Sequence, residues 1–292
     1  MNDFYLIDVG ASGGAHSRWE PFAPFLHEVL FDPDPRAALD RPPPRAQKQQ
    51  TVIQSALWEE EQTMRLHLTK KPQVSSLYEP NIDFLAHYTN PERFDTQKTK
   101  DLQTTTLDQS LRKHGIDEAH FIKLDTQGSE LNILKGGLFS LEKCVGIEVE
   151  VEFAELYKRQ PLFHEVDHFI QNQGFELYDI SRTYWRLRGS TIKGYEKGRL
   201  IFGDALYFRS PHEVIKKEDQ RMVRNLVVSY LAYGYEDHAQ YLSQMTGKAE
   251  DIIAAHKKNF KKRKRIYRAF LRGAQKSRII ARLIRGAEKL GH

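Results

Sequence analysis

At 292 residues, with 40% hydrophobic and 28% charged side chains, the chain is globular in composition; collagen-like, mucin-like and wholly disordered classes are excluded, and the length suffices to fold without disulfides or metals. The single cysteine, Cys144, excludes an internal disulfide framework and fits a reducing compartment. The net charge of +5 is unevenly spread: residues 257–292 hold 14 Lys and Arg against one acid, Glu288, and the residues before them hold 30 bases and 38 acids. An acidic body carries a basic tail, which argues against a uniformly basic nucleic-acid binder.

Met1-Asn2-Asp3 leads straight into Phe4-Tyr5-Leu6-Ile7, with neither the basic start nor the long apolar stretch of a signal peptide. No run of about 18 apolar residues occurs, so the expectation is a cytoplasmic protein. In chain order, short apolar runs predict strands over 4–9, 27–31, 51–56, 119–125 and 145–151, and helical patterns cover 107–114, 129–136 and 162–172. That alternation predicts an α/β fold, a parallel sheet with helices on its faces. Arg41-Pro42-Pro43-Pro44-Arg45 is a connection, since three prolines suit neither helix nor central strand. Residues 175–180 and 205–208 read as a late antiparallel pair at the sheet edge. From 211 the patterns are helical, with Leu226, Val227, Tyr230, Leu231 and Tyr233 on one apolar face and Tyr241, Leu242 and Met245 on another. The expected division is a domain over 1–210 and a helical extension over 211–292.

Asp8-Val9-Gly10-Ala11-Ser12-Gly13-Gly14 comes directly after the first strand. Small residues there let the backbone approach a ligand closely, although a tight turn with no ligand has the same pattern. Gly10 and Gly13 lack the Gly-x-Gly-x-x-Gly spacing of a dinucleotide fingerprint. Asp32, ending the second strand about 20 residues later, stands where a carboxylate accepts the ribose hydroxyls of an adenosine. Asp34 is expected to cap the next helix.

Lys123-Leu124-Asp125-Thr126-Gln127-Gly128-Ser129-Glu130, with Leu134-Lys135-Gly136 after it, resembles the signature of the FkbM-type methyltransferases. The flanking motifs come in the same order: Asp8-Val9-Gly10-Ala11, Phe31-Asp32-Pro33-Asp34-Pro35, Thr106-Leu107-Asp108 and Ile147-Glu148-Val149. Three positions depart from the family pattern: Ser12 stands for the usual Asn, Asp32 for the usual Glu, and Gln127 where many members carry Glu. The resemblance spans roughly residues 4–208. It implies a class I methyltransferase (Rossmann-like) fold, mostly parallel with an antiparallel edge pair, and S-adenosylmethionine as methyl donor. It also implies O-methylation of a saccharide, glycolipid or natural-product hydroxyl. The cofactor-binding set is then Asp8, Gly10, Ala11, Ser12, Gly13 and Asp32, with Ser55 and Ala56 at the end of the third strand. Residues 74–81 resemble the family's substrate-side loop, in which Ser76 and Tyr78 would contact the acceptor together with Glu130; an ordinary polar surface loop is the other reading of that segment.

Ligands of a parallel sheet lie at the C-terminal ends of its strands. Phe121, Lys123 and Asp125 share one face of their strand, and Glu148, Glu150 and Glu152 share one face of the next. Lys123, Asp125 and Glu148 are the catalytic candidates. Asp125 is expected to act as base or substrate anchor, or else to pair with Lys123 and fix the strand end. Glu148 matches the family's acid in this strand and is the one expected to reach the site, whereas Glu150 and Glu152 read equally well as solvated. Glu130 falls in the first turn of a helix, where the dipole favours acids whatever their function. No metal is assigned: Asp125 and Glu148 lack an identifiable third ligand, and His164 and His168, four apart, read as surface residues.

In the tail, Ile266, Phe270, Ile279, Ile280, Leu283, Ile284, Ala287 and Leu290 recur at helical spacing among the bases. A basic amphipathic helix suits an anionic membrane surface, peripheral at the inner face, or a partner; docking on the acidic body, or a disordered tail, is the other reading. Sparse aromatic residues argue against nucleic acid. A different class also fits: a non-catalytic binding module that keeps the nucleotide fold and is attached by its tail.

Overall fold

The computed structural model describes residues 4–11, 14, 16–34, 36, 49–189 and 197–258. Its main sheet has seven strands, ordered β3-β2-β1-β7-β8-β10-β9. The central ones are β1 (Phe4–Val9), β2 (Leu26–Phe31), β7 (Phe121–Leu124) and β8 (Gly146–Glu152), with β3 (Gln49–Ile53) outside β2. These five run parallel. Strand β10 (Arg199–Arg209) pairs antiparallel with β8, and β9 (Phe175–Trp185) pairs antiparallel with β10. The expected edge pair is therefore present and longer than its apolar residues suggested. β1 is nearly all apolar because both of its faces are covered.

One face carries Ile7, Val9, Ile122, Leu124, Ile147 and Val149 in a shared core. Four helices belong to this layer: α2 (Leu107–Lys113), α3 (Glu130–Lys135), α4 (Leu138–Lys143) and α5 (Phe163–Asn172). Thr106 and Gln109 close a capping box that fixes the start of α2. The opposite face carries Phe4, Leu6, Phe121, Leu206 and Phe208. It packs on Trp19 and Phe22 of the 3-10 segment Ser17–Phe25 and on α6 (Pro211–Lys216), α7 (Gln220–Tyr233) and α8 (Glu236–Thr246). The helices after residue 210 thus share a core with the sheet. On α7, Leu226, Val227, Tyr230 and Leu231 are buried as expected; on α8 only Leu242 of its expected trio is, and Tyr241 and Met245 are exposed. Residues 259–292, including most of the basic tail, lie outside the described residues.

Two features depart from the sequence reading. The third predicted strand divides: β3 stops at Ile53, and β4 (Ala56–Leu57) joins a second sheet, ordered β4-β6-β5, with β5 (Thr63–Thr69) and β6 (Thr96–Thr105). The segment between β5 and β6 includes the short helix α1 (Ile82–Leu85). Val74, Leu85, Tyr88 and Phe94 from this segment pack with Leu156, Tyr157 and Ile201 in a third core. That core lies beyond the C-terminal end of β8, where it forms a lid. Asn81 N–H donates to the Leu156 carbonyl (2.8 Å) and Lys158 N–H to that of Glu79 (2.8 Å), tying lid to sheet.

Candidate active site

The ends of β1 and β7 meet at Gly10. Its φ is +80°, and a Cβ placed there would lie 1.8 Å from the Asp125 carbonyl oxygen. Only glycine satisfies both conditions. The N–H groups of Gly10 and Ala11 bond the Phe31 carbonyl at 2.9 and 3.2 Å, so the turn is locked onto β2. Asp32 comes next in the chain, and its Oδ1 accepts from Asp34 N–H at 2.8 Å. Asp34 in turn receives Arg36 N–H at 2.9 Å and pairs with the Arg36 guanidinium at 2.6 Å. Gly10, Asp32, Ser55, Ala56, Ser76 and Asp125 face one cavity between the strand ends and the lid. Ser12 and Gly13 lie outside the described residues.

Beneath the cavity runs a row of charge. Strand register aligns Asp8, Lys123 and Glu148 across β1, β7 and β8. Lys123 Nζ lies 3.5 Å from Asp8 Oδ1 and 3.6 Å from Asp125 Oδ2. Burial pushes the Lys123 ammonium down, but Asp8, Asp125 and Glu148 outweigh it and hold the group above the ordinary lysine range. Burial pushes the Asp8 carboxyl up against the pull of Lys123. Asp8 is 2% exposed, whereas the Asp125 side chain is 40% exposed; of Asp8, Lys123 and Asp125, it is Asp125 that lines the cavity.

Glu148 is held from the helical face. Its Oε2 accepts from Arg18 Nη1 at 3.0 Å and from the Tyr233 hydroxyl at 2.6 Å, with the Arg18 guanidinium stacked 4.3 Å from the Tyr233 ring. Glu148 does not line the cavity. Glu150 and Glu152 are buried, contrary to the solvated reading. The reason is topological: β10 returns beside β8, and Tyr157 and Gln160 cover its end. Burial raises both carboxyls well above the ordinary glutamate range, and neighbouring acids add to the effect.

Glu130 sits at the start of α3 but turns inward. Its Oε1 accepts from Thr126 N–H (2.6 Å) and the Thr126 hydroxyl (3.0 Å), and its Oε2 from Gly128 N–H (2.9 Å). It braces the loop after β7 and is not among the cavity-lining residues. Burial pushes its carboxyl up to about 7. Ser76 Oγ donates to the Gln127 carbonyl at 2.7 Å from the cavity wall. The Tyr78 hydroxyl, pushed up to about 12 by burial, donates to Asn132 Oδ1 at 2.9 Å, away from the cavity. His164 and His168 are exposed, and among the described residues no group of three or more His, Cys, Asp or Glu could hold a metal ion.

A parallel sheet in this order, with an antiparallel edge, a glycine turn after β1 and an acid after β2, defines a class I methyltransferase fold. The chain belongs to the family described as the methyltransferase FkbM domain, which it matches over residues 8–177. Its cofactor is S-adenosylmethionine. The residues present fit that group: Gly10 leaves the strand junction without a side chain, and Asp32 brings a carboxylate for ribose hydroxyls to the cavity wall.

No curated protein matches the chain. Among solved structures, a magnesium protoporphyrin IX methyltransferase from Synechocystis, with S-adenosylmethionine bound, is 10% identical. The match covers 72% of this chain and 71% of that one, with a TM-score of 0.33. A methyltransferase from Anabaena variabilis is 9% identical over 71% and 77% of the two chains (TM-score 0.32). A TehB-like methyltransferase from Corynebacterium glutamicum is 10% identical over 72% and 82% (TM-score 0.28).

The fold thus brings Gly10, Asp32, Ser55, Ala56, Ser76 and Asp125 to one cavity and places Asp8, Lys123, Glu148, Glu130 and Tyr78 behind its walls. The sequence reading missed Leu66 and Gln73 on the lid side, and Arg18 and Tyr233 on Glu148. Alternation of Met64, Leu66 and Leu68 in β5 was a usable signal; nothing local marks the others.

Proposed function

We propose that the chain transfers a methyl group to a hydroxyl of a saccharide, a glycolipid or a natural product, with Asp125 as the base. The observation that carries this reading is a single exposed carboxylate at the end of β7, in the same cavity as Gly10 and Asp32. When bound, S-adenosylmethionine supplies the electrophilic methyl group. An alcohol must lose its proton as it takes up the methyl group, and a carboxylate within hydrogen-bond reach accepts that proton. Lys123, fixed between Asp8 and Asp125, sets a cation 3.6 Å from Asp125 Oδ2. Gln73, Ser75 and Ser76 make the lid side of the cavity polar.

The test is calorimetric binding of S-adenosylmethionine and S-adenosylhomocysteine, then methyl transfer across a glycan and glycolipid panel with the parent and Asp125→Asn proteins. Cofactor binding with transfer lost in Asp125→Asn supports the reading; no binding to folded protein defeats it. The charge of residues 257–292 favours an anionic membrane surface as a further partner. Salt-sensitive sedimentation with phosphatidylserine vesicles, abolished by deleting those residues, is expected; unchanged sedimentation after deletion rejects it.

A further inference from the structure

We propose that Gln127 is the positioning residue of the site, its side-chain amide holding Asp125 in the orientation that receives the acceptor. The inference rests on the reading of Asp125 as base. Gln127 has a φ of +61°, in the left-handed region, which is unfavourable for a residue with a Cβ. Contacts from three directions keep it there. Its Nε2 lies 3.2 Å from Asp125 Oδ1 and 2.5 Å from Glu150 Oε2. Its Oε1 lies 2.9 Å from the Tyr157 hydroxyl, whose single proton serves either this oxygen or the Val74 carbonyl at 2.9 Å. Its own carbonyl accepts from Ser76 Oγ at 2.7 Å. Strand β8 and both halves of the lid therefore converge on one residue, Glu150 and Tyr157 on its side chain and Ser76 on its carbonyl.

The consequence falls on Asp125. Its Oδ2 faces Lys123 Nζ at 3.6 Å and its Oδ1 faces Gln127 Nε2 at 3.2 Å. A cation beside one oxygen and an amide donor on the other restrain the plane of a carboxylate that otherwise rotates freely, and the lone pairs left over are those an acceptor hydroxyl can use. The amide also separates Asp125 from Glu150 without adding charge. That matters because the surrounding groups are mostly acids: Asp8 on β1, Glu148, Glu150 and Glu152 on β8, Asp204 on β10 and Glu130 on α3, against Lys123 and Arg18. A carboxylate at position 127 would touch two others.

Gln127→Glu keeps the shape and reverses the electrostatics; Gln127→Leu keeps the bulk and removes the donor. Both changes favour the neutral form of Asp125. In protein labelled with 13C at aspartate carboxyls, with the Asp125 signal assigned through Asp125→Asn, we expect its titration midpoint to rise by one unit or more in Gln127→Glu and by about half a unit in Gln127→Leu. With an acceptor from the glycan panel, the acid limb of the kcat profile should move upward by the same amounts, with kcat down tenfold or more and the acceptor KM changed less than threefold. Either variant, folded, with the midpoint and kcat of the parent overturns the inference. Full transfer by Asp125→Asn would instead defeat the base reading, and the two failures are distinguishable.

Discussion

The contact between Gly10 and Asp125 is the most exposed to test. Gly10→Ala introduces a Cβ 1.8 Å from the Asp125 carbonyl oxygen and 2.7 Å from its carbon, where ordinary contact begins at 3.4 Å. The neighbour is backbone, so the end of β7 has to move by more than 1 Å. Movement breaks the bond from Asp125 N–H to the Val9 carbonyl, 3.0 Å long, at about 1 kcal/mol. Holding alanine at a φ of +80° costs about 1–2 kcal/mol more. The sum, about 2–3 kcal/mol, leaves a protein of ordinary stability folded. Because the same displacement shifts a wall of the cavity, S-adenosylhomocysteine affinity should fall at least tenfold, about 1.4 kcal/mol. Urea unfolding and calorimetry read the two effects separately. A Gly10→Ala protein within about 0.5 kcal/mol of the parent and with the parent's affinity would refute the reasoning.

Lys123→Met leaves Asp8 buried without its cation, and urea unfolding should show a loss of about 3 kcal/mol, partly recovered when Asp8→Asn is added. Tyr233→Phe removes the 2.6 Å bond to Glu148 while Arg18 remains; the expected cost is about 1 kcal/mol, with calorimetric affinity for S-adenosylhomocysteine unchanged, since Glu148 lies outside the cavity. Glu130, raised from 4.5 to about 7 by burial, keeps its proton in the folded chain after the unfolded chain has lost it, so its contribution is full below pH 4.5 and is lost as pH rises through about 7. Between pH 5 and pH 7 the parent should therefore lose roughly 2–3 kcal/mol relative to Glu130→Gln in urea unfolding; parallel pH curves would contradict that.

How much of the site the sequence disclosed depended on how local its chemistry is. Gly10, Asp32 and Asp125 were legible because each ends an apolar strand, and a strand end carries its own position. The alternation Ile147, Val149, Val151 assigned the faces of β8 correctly. It left solvent open as a place for Glu150 and Glu152, however, because nothing in those residues announces that β10 returns alongside or that Tyr157 closes the end. Arg18 and Tyr233 reach Glu148 from 130 and 85 residues away, separations that no periodicity spans. Strand β6 is polar and largely exposed, so it offered no apolar alternation to read.

The matched family segment ends at residue 177, yet the catalytic body does not end there. β10 supplies the antiparallel partner of β8, and α7 covers the face that holds Phe4, Phe121 and Phe208. Burying each such aromatic contributes about 1.5–3 kcal/mol, so the helices over 211–253 are as much a part of the sheet's stability as the family core. Tyr233 of α7 also reaches a row of acids on the sheet. Asp8, Glu148, Glu150 and Asp204 share one face of the sheet by register. On that face Lys123 meets Asp8 and Asp125, and Arg18 with Tyr233 meets Glu148. An acid row buried under helices requires such partners, and drawing one of them from α7 couples the helical layer to the strands that carry Asp125.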